Sequence, residues 1–173
     1  MADIYLGIDA SWTALAICAV SSGDGKVLQE AVIRVDAKKH PNNYSRLDAI
    51  VTKFAAFLDE NDPVLVAIEG YAFGATQGRE MAGELGGALR TLLWKSKIPF
   101  GVIPPTVLKK IVTEKGNSKK ELMILGAFKK WGYTAPNNDA CDAFCLAQFA
   151  LLAGDPKPTK AFAAMMTKCE WVR

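Results

Sequence analysis

The apolar run at residues 64–68 does most to limit what this chain can fold into. It reads Val-Leu-Val-Ala-Ile, with no polar residue inside it. A continuously apolar strand of this kind is typical of the centre of a sheet that is covered on both faces by helices. We therefore expect an α/β fold. No apolar stretch approaches the roughly 20 residues that a membrane span requires, so we expect no membrane partner.

The other strands and helices follow from the hydrophobic periodicity around this run. Three short β-prone runs precede it, and the turn residues between them indicate an antiparallel meander. Apolar residues at helical spacing predict helices on either side of it. The order predicts a mixed sheet, in which parallel strands follow the meander, with helices on both faces. The predicted strands are 4–8, 13–20, 27–35, 64–68 and 100–103, and the predicted helices are 43–60, 79–95, 118–131 and 138–153.

The size and composition favour one domain in a reducing compartment. The chain has 173 residues and is 50% hydrophobic, which is enough for one core. We expect a domain over residues 1–153 and a C-terminal tail over residues 154–173 that is partly helical or mobile. The N-terminus does not resemble a signal peptide, and the four cysteines form no CxxC pair. We therefore expect a cytoplasmic protein.

Four acidic residues interrupt segments that should otherwise be buried. Asp9 and Glu69 each follow an apolar strand, at the strand ends where α/β sheets usually form their sites. Asp139 and Asp142 are spaced i, i+3 and so share one face of a predicted helix. One interpretation gives each of the four acids a separate role, as a helix contact, as a partner in an ion pair or as an exposed residue at a strand end. The other is that all four converge on divalent cations, because unpaired buried carboxylates are costly.

The only histidine, His40, lies in a polar stretch that is expected to be a loop. A Ser-His-Asp triad and a histidine metal site are therefore not expected. If the chain is an enzyme, carboxylates, lysines or bound ions must carry the chemistry. Two Mg²⁺ or Mn²⁺ ions about 4 Å apart would suit phosphodiester hydrolysis.

The positive charge is concentrated in one third of the chain. The net charge is +3 overall, but it is −4 over residues 1–78 and +7 over residues 79–130. A separate basic face beside a carboxylate cluster suits a nucleic acid that metal ions bridge to the protein. A solvated lysine face is the alternative. Five lysines of this segment cluster around a predicted loop and helix start, and they are Lys109, Lys110, Lys115, Lys119 and Lys120.

With these motifs in place, the chain resembles the RuvC-type Holliday junction resolvases of the ribonuclease H-like superfamily. The resemblance covers about residues 3–153. It rests on Gly-Ile-Asp at residues 7–9, Ala-Ile-Glu at residues 67–69, two lysines around a glycine-containing loop, and Asp-Ala-Cys-Asp at residues 139–142. It implies a ribonuclease H-like fold with a five-stranded mixed sheet. It also implies a symmetric homodimer that cuts four-way DNA in pairs, leaving 5′-phosphate and 3′-hydroxyl ends.

The resemblance also implies roles for individual residues. Asp9, Glu69, Asp139 and Asp142 would bind two Mg²⁺ ions, and Asp9 would bridge the two ions. Mn²⁺ would also support activity. Lys120 would lie near the scissile phosphate, and Lys109 would support the DNA backbone. The complete set of expected DNA contacts is Lys109, Lys110, Lys115, Lys119, Lys120, Arg79, Tyr71 and Phe73.

Two regions depart from the family or leave alternatives open. Ala-Ser-Trp at residues 10–12 follows the first aspartate, where many relatives have Pro-Gly. Ala72 occupies the position of the family's aromatic wedge, between Tyr71 and Phe73, and these rings either contact DNA or cover the edge of the core. The glycine-rich helix at 79–95 packs either against a second subunit or against its own sheet. These departures favour a phage rather than a bacterial source.

Three other functions compete with junction resolution. The same fold and metals would serve a broader nuclease of branched DNA, flap DNA or RNA–DNA hybrids. A catalytically silent junction-binding module is a second alternative, which the four intact acids disfavour. The ATPase fold of actin and sugar kinases also opens with Gly-Ile-Asp, but it needs two such domains. The chain is too short for two and has no glycine-rich P-loop, so no nucleotide cofactor is expected.

Overall fold

The computed structural model describes residues 2–70 and 79–173. Within that part, six strands form one mixed sheet with helices on both faces. The strands are β1 (Ile4–Ala10), β2 (Leu15–Ser21), β3 (Val27–Ile33), β4 (Leu65–Glu69), β5 (Phe100–Ile103) and β6 (Glu170–Val172). The helices are α1 (Asn43–Asn61), α2 (Arg79–Lys95), α3 (Pro105–Thr113), α4 (Lys120–Trp131), α5 (Asn138–Gly154) and α6 (Lys160–Met166).

The sheet has the order β3-β2-β1-β4-β5-β6. The first three strands form an antiparallel meander, and β1, β4 and β5 are parallel to one another. The predicted α/β class, meander and parallel strands are therefore confirmed. None of the described helices is both long and apolar enough to cross a membrane.

The prediction of a five-stranded sheet is wrong, because β6 adds a sixth strand. It pairs antiparallel with β5, and Trp171 lies opposite Gly101. The Trp171 ring covers this glycine so closely that a Cβ at Gly101 would lie 2.6 Å from a ring carbon. Sequence periodicity could not reveal the strand because it has only three residues.

Helix α3 is a second element that the sequence reading did not predict. The two prolines at 104 and 105 indicate the end of a strand, and they also permit a helix to start. Pro105 occupies the first turn of α3, where a missing N–H costs nothing. The helix buries Val107, Leu108 and Ile111 against the sheet side that also contacts α5.

The two faces of the sheet have different helical layers. Helices α1 and α2 cover one face, and α3 to α6 cover the other. Side chains alternate between the faces along β1. Leu6 and Ile8 belong to the α1–α2 core, whereas Tyr5 belongs to the α5 core. The same alternation directs Gly7 and Asp9 toward α5.

Candidate active site

The paired ends of β1 and β4 bring two of the predicted acids together. Ile8 lies directly beside Ile68 in the parallel register, so Asp9 and Glu69 are the next neighbours. Both side chains point to the α5 face. A side-chain hydrogen bond joins them. Asp9 lies inside β1, where it pairs with Ala16 of β2, rather than beyond the strand's end.

Helix α5 supplies the other two acids at its amino-terminal end. The Asn137 side chain caps the helix by accepting a hydrogen bond of 2.9 Å from the Ala140 amide. Asp139 lies in the first turn, where the helix dipole favours a negative charge. Asp142 lies one turn further along the same face.

Gly7 sets the distance between α5 and the strand that carries Asp9. A Cβ at this position would lie 2.0 Å from the carbonyl oxygen of Ala143 and 2.1 Å from the amide nitrogen of Ala147. Only glycine permits so close an approach of helix backbone to strand backbone. The approach brings the first turns of α5 next to Asp9, two residues further along β1.

A tyrosine fixes the segment that leads into α5. The ring of Tyr133 stacks on Phe144 with a centroid distance of 3.9 Å. Its hydroxyl donates a hydrogen bond to the Glu30 carboxylate on β3. The chain before Asn137 is thus held against the meander and against α5 itself. Sequence reasoning gave Tyr133 and Glu30 no role, because they lie 103 residues apart.

Lys120 is positioned by the connection between α3 and α4. The buried Ser118 hydroxyl lies 2.6 Å from the Thr113 hydroxyl and 2.9 Å from the Lys115 carbonyl oxygen. Gly126 allows α4 to approach α3, since a Cβ there would lie 2.7 Å from the Val112 carbonyl oxygen. These contacts fix the start of α4, where Lys120 is the first residue.

The electrostatics show that the acids and Lys120 act on one another. Burial raises the pKa of Asp9, and the charges of Asp142 and Asp139 raise it further. Burial likewise raises the pKa of Glu69, followed by the charge of Asp9. Lys120 opposes both shifts. The hydrogen bond favours a proton on Glu69 that is shared with Asp9.

Asp142 has a similar environment. Burial raises the pKa of Asp142, and the negative charge of Asp139 raises it further. The positive charges of Lys120 and Lys109 lower this pKa, with Lys120 having the larger effect. Both lysines that the sequence assigned to the scissile strand therefore lie within electrostatic reach of Asp142. A half-buried group of carboxylates faced by lysines is suited to bind cations together with an anionic substrate.

The overall arrangement can be compared with known proteins. No family model matches the sequence, and no curated protein matches it significantly. Solved structures do match. Thermus thermophilus RuvC has a TM-score of 0.74 and 21% identity, over 98% of this chain and 99% of that chain. The chain has the RuvC fold.

Two further structures agree with this conclusion. Thermus thermophilus RuvC in complex with a Holliday junction substrate has a TM-score of 0.75, at 21% identity and with the same coverage. The yeast mitochondrial Holliday junction resolvase Ydc2 has a TM-score of 0.55 and 15% identity, over 94% of this chain and 80% of that chain. The resemblance to RuvC-type proteins is thus confirmed in the fold.

Within this RuvC fold, the acids have the right chemistry for Mg²⁺ or Mn²⁺. Both ions prefer carboxylate oxygens. A bound cation would offset the burial and the mutual repulsion that together raise the pKa of Asp9 and Glu69. Across residues 2–70 and 79–173, however, no three acidic, histidine or cysteine side chains are arranged closely enough to hold a metal ion as they stand. Binding would therefore require these side chains to turn toward a common centre, starting with the hydrogen-bonded pair.

The predicted DNA contacts have different positions. Lys110, Lys115 and Lys119 are exposed. No interaction among the described residues links them to the carboxylates. Arg79 is the first residue of α2. Tyr71 and Phe73 lie outside the described residues.

Proposed function

We propose that this chain is a divalent-metal-dependent endonuclease that resolves four-way DNA junctions by paired cuts, leaving 5′-phosphate and 3′-hydroxyl ends. The charge interactions among Asp9, Glu69, Asp139, Asp142 and Lys120 at one edge of the sheet carry the proposal. The match to RuvC in complex with a Holliday junction substrate supports the choice of DNA. The cytoplasm of a bacterium or of a phage-infected cell would be the site of action.

Asp9, Glu69, Asp139 and Asp142 would hold two Mg²⁺ ions, and Mn²⁺ would serve as well. Bound ions of this kind supply positive charge at the phosphate oxygens and make water more acidic. Asp9 and Glu69 would give up their shared proton to bind them. The Lys120 ammonium group would then offset negative charge that develops on the phosphate in the transition state. Lys109 would help to hold the DNA strand beside Asp142.

The test is a labelled synthetic four-way junction incubated with and without Mg²⁺. We expect paired, symmetric cuts only with the metal. Asp9→Asn should abolish cutting while junction binding remains, because it removes a metal ligand and no DNA contact. Lys120→Ala should slow single-turnover cutting by about 100-fold, the scale of losing one stabilising group in a transition state. Metal-dependent cutting by Asp9→Asn would contradict the assignment.

The substrate range is tested in the same assay. A Y-fork and an RNA–DNA hybrid are offered beside the junction at equal concentration. Equal rates on all three would replace junction resolution with a broader nuclease activity. Junction binding without any cutting, in the presence of Mg²⁺ or of Mn²⁺, would indicate a catalytically silent binding module.

A homodimer is part of this proposal, because each chain supplies one site and resolution requires two cuts. Helix α2 has a face suited to close helix packing. A Cβ at Gly87 would meet no atom of the described residues within 4 Å. Trp94, two turns further along the same face, is 65% exposed. Small residues beside exposed apolar side chains are typical of a surface that another helix covers.

A further inference from the structure

A second group of basic residues lies in the acidic first half of the chain. Of the six basic residues among positions 1–78, four fall between residues 34 and 46, with one acid among them. This stretch has a net charge of +3, within a region of net charge −4. We call these four residues and two nearby aromatic side chains the β3-end patch. Its members are Trp12, Arg34, Lys38, Lys39, Tyr44 and Arg46.

The sheet register places this patch along the edge that carries the acids. Ala10 lies opposite Leu15, and Leu15 lies opposite Ile33. Strand β3 therefore ends in line with β1, and Arg34 follows directly. Two strand spacings of about 4.8 Å separate β3 from β1, so the patch begins about 10 Å from the line of Asp9. Helix α3 follows β5, toward the other end of the same edge.

Arg46 holds the patch in a fixed arrangement. Its Nη2 donates to the Trp12 carbonyl oxygen at 2.9 Å, and its Nε donates to the Val35 carbonyl oxygen at 3.1 Å. Its guanidinium also lies over the Trp12 ring, 5.2 Å from the centroid. The turn between β1 and β2, the connection after β3 and helix α1 are thereby tied together. Such preorganisation lowers the entropic cost of binding a ligand.

Three of the four charged groups of the patch, all except Arg46, are available to a ligand. Arg34, Lys38 and Lys39 are exposed, and none forms an ion pair with a described residue. The one acid in the stretch, Asp36, accepts a hydrogen bond of 3.0 Å from the Lys38 amide and so caps the turn. Tyr44 is 75% exposed. Exposed aromatic rings among unpaired basic groups are typical of nucleic-acid surfaces.

We propose that the β3-end patch binds the phosphate backbone of a duplex arm beside the cleavage site. This inference rests on the proposed function, which supplies the DNA. Arg34 also lies two residues beyond the level of Asp9, because Asp9 pairs with Ala16 and Ala16 with Val32, so the patch begins about 12 Å from Asp9. With 3.4 Å of axial rise per phosphate on one strand, this distance corresponds to about three to four nucleotides from the cut. Lys38, Lys39 and Arg34 would contact successive phosphates there. The sheet edge would then bind DNA on both sides of the acids, through the β3-end patch on one side and through Lys109 and Lys120 on the other.

The test compares two double variants that remove the same charge. Lys38→Ala/Lys39→Ala alters the patch. Lys157→Ala/Lys160→Ala removes two exposed lysines after the end of α5, where Gly154 packs on Tyr5 near the amino end of β1. Junction affinity is measured by fluorescence anisotropy as a function of salt, with Ca²⁺ in place of Mg²⁺ to prevent cutting. Thermal melting checks that both variants fold.

The slope of log affinity against log salt is negative, and loss of two phosphate contacts should make it shallower by about 2. The patch variant should also bind about tenfold more weakly at 0.1 M salt, for junctions of any sequence. Single-turnover cutting at saturating DNA should stay unchanged, because the carboxylates and Lys120 are intact. The control variant should keep the wild-type slope.

Equal salt slopes for the two double variants would overturn the patch proposal. If the wild type still binds and cuts the junction in that case, the proposed function survives alone. If the wild type binds no branched DNA, both proposals fail together. The additional variant Arg34→Ala should make the slope shallower by about 1 more, and an unchanged slope would count against the patch.

Discussion

Replacing Gly7 with alanine tests the geometry that brings the four acids together. The new methyl group would lie 2.0 Å from the Ala143 carbonyl oxygen and 2.1 Å from the Ala147 amide nitrogen. Both are backbone atoms of α5, so no side chain can rotate away to make room. The helix must move outward as a body, and Asp139 and Asp142 must move with it.

The size of the movement follows from the contact distances. An ordinary Cβ contact begins at 3.4 Å, so the closest atom must retreat by about 1.4 Å. Overpacking of a well-filled core costs about 1–3 kcal/mol of unfolding free energy. A misplacement of about 1 Å in a catalytic arrangement can cost about 100-fold in rate. We therefore expect Gly7→Ala to lose both stability and cutting, with the rate more affected than folding.

Denaturant unfolding and single-turnover junction cutting with Mg²⁺ measure the two effects. Gly23→Ala is a matched control, because its Cβ would meet only the Ser21 hydroxyl, at 3.6 Å, among the described residues. It should leave both stability and rate near the wild-type values. Wild-type stability and cutting in Gly7→Ala would refute the reasoning, since they would mean that the close packing of α5 on Gly7 does not position the acids.

Three other perturbations test separate parts of the structure. Because the pKa of Glu69 is raised in the folded state, stability should fall as pH rises above its unfolded pKa. Without metal, Glu69→Gln should therefore have an unfolding free energy about 1–3 kcal/mol higher than that of the wild type at pH 8, but not at pH 4. Thermal melting at the two pH values measures this, and an equal gain at both would contradict the prediction. Gly87→Arg should convert dimers to monomers in analytical ultracentrifugation, whereas Thr52→Arg on α1 should not. Trp171→Ala should lower unfolding free energy by about 2 kcal/mol, since it uncovers Gly101, while cutting at low temperature remains; undiminished stability would show that β6 contributes little.

The strands and most helices could be predicted because their periodicity is strong. The run before Glu69 is apolar on both faces, as a strand between two helical layers must be. The predicted helix at 43–60 differs from α1 by one residue at its end. Helix α3 was missed because two adjacent prolines gave a stop signal that masked a start signal. Strand β6 depends on a distant pairing with β5, which local sequence does not contain.

The site was predictable as a set of residue types, but its geometry was not. Acids that follow apolar strands stand out from the sequence alone. Their closeness depends on the β1–β4 register and on Gly7, which are properties of the folded chain. The role of Arg46 was hidden for the same reason, because it joins residues 34 positions apart. Residues that position a site over long sequence distances leave no local pattern.

The charge pattern of the edge separates binding from catalysis. Carboxylates at its centre repel phosphates, and they also repel one another, which adds to the effect of burial in raising the pKa of Asp9 and Glu69. The basic groups on either side attract the same phosphates and do not depend on metal. Under the proposed function, the flanking basic groups would hold DNA whether or not cations are bound to the carboxylates, which is why Asp9→Asn should keep junction binding and lose cutting. A net charge of only +3 is compatible with this division, since opposite charges are placed side by side along one edge of the sheet.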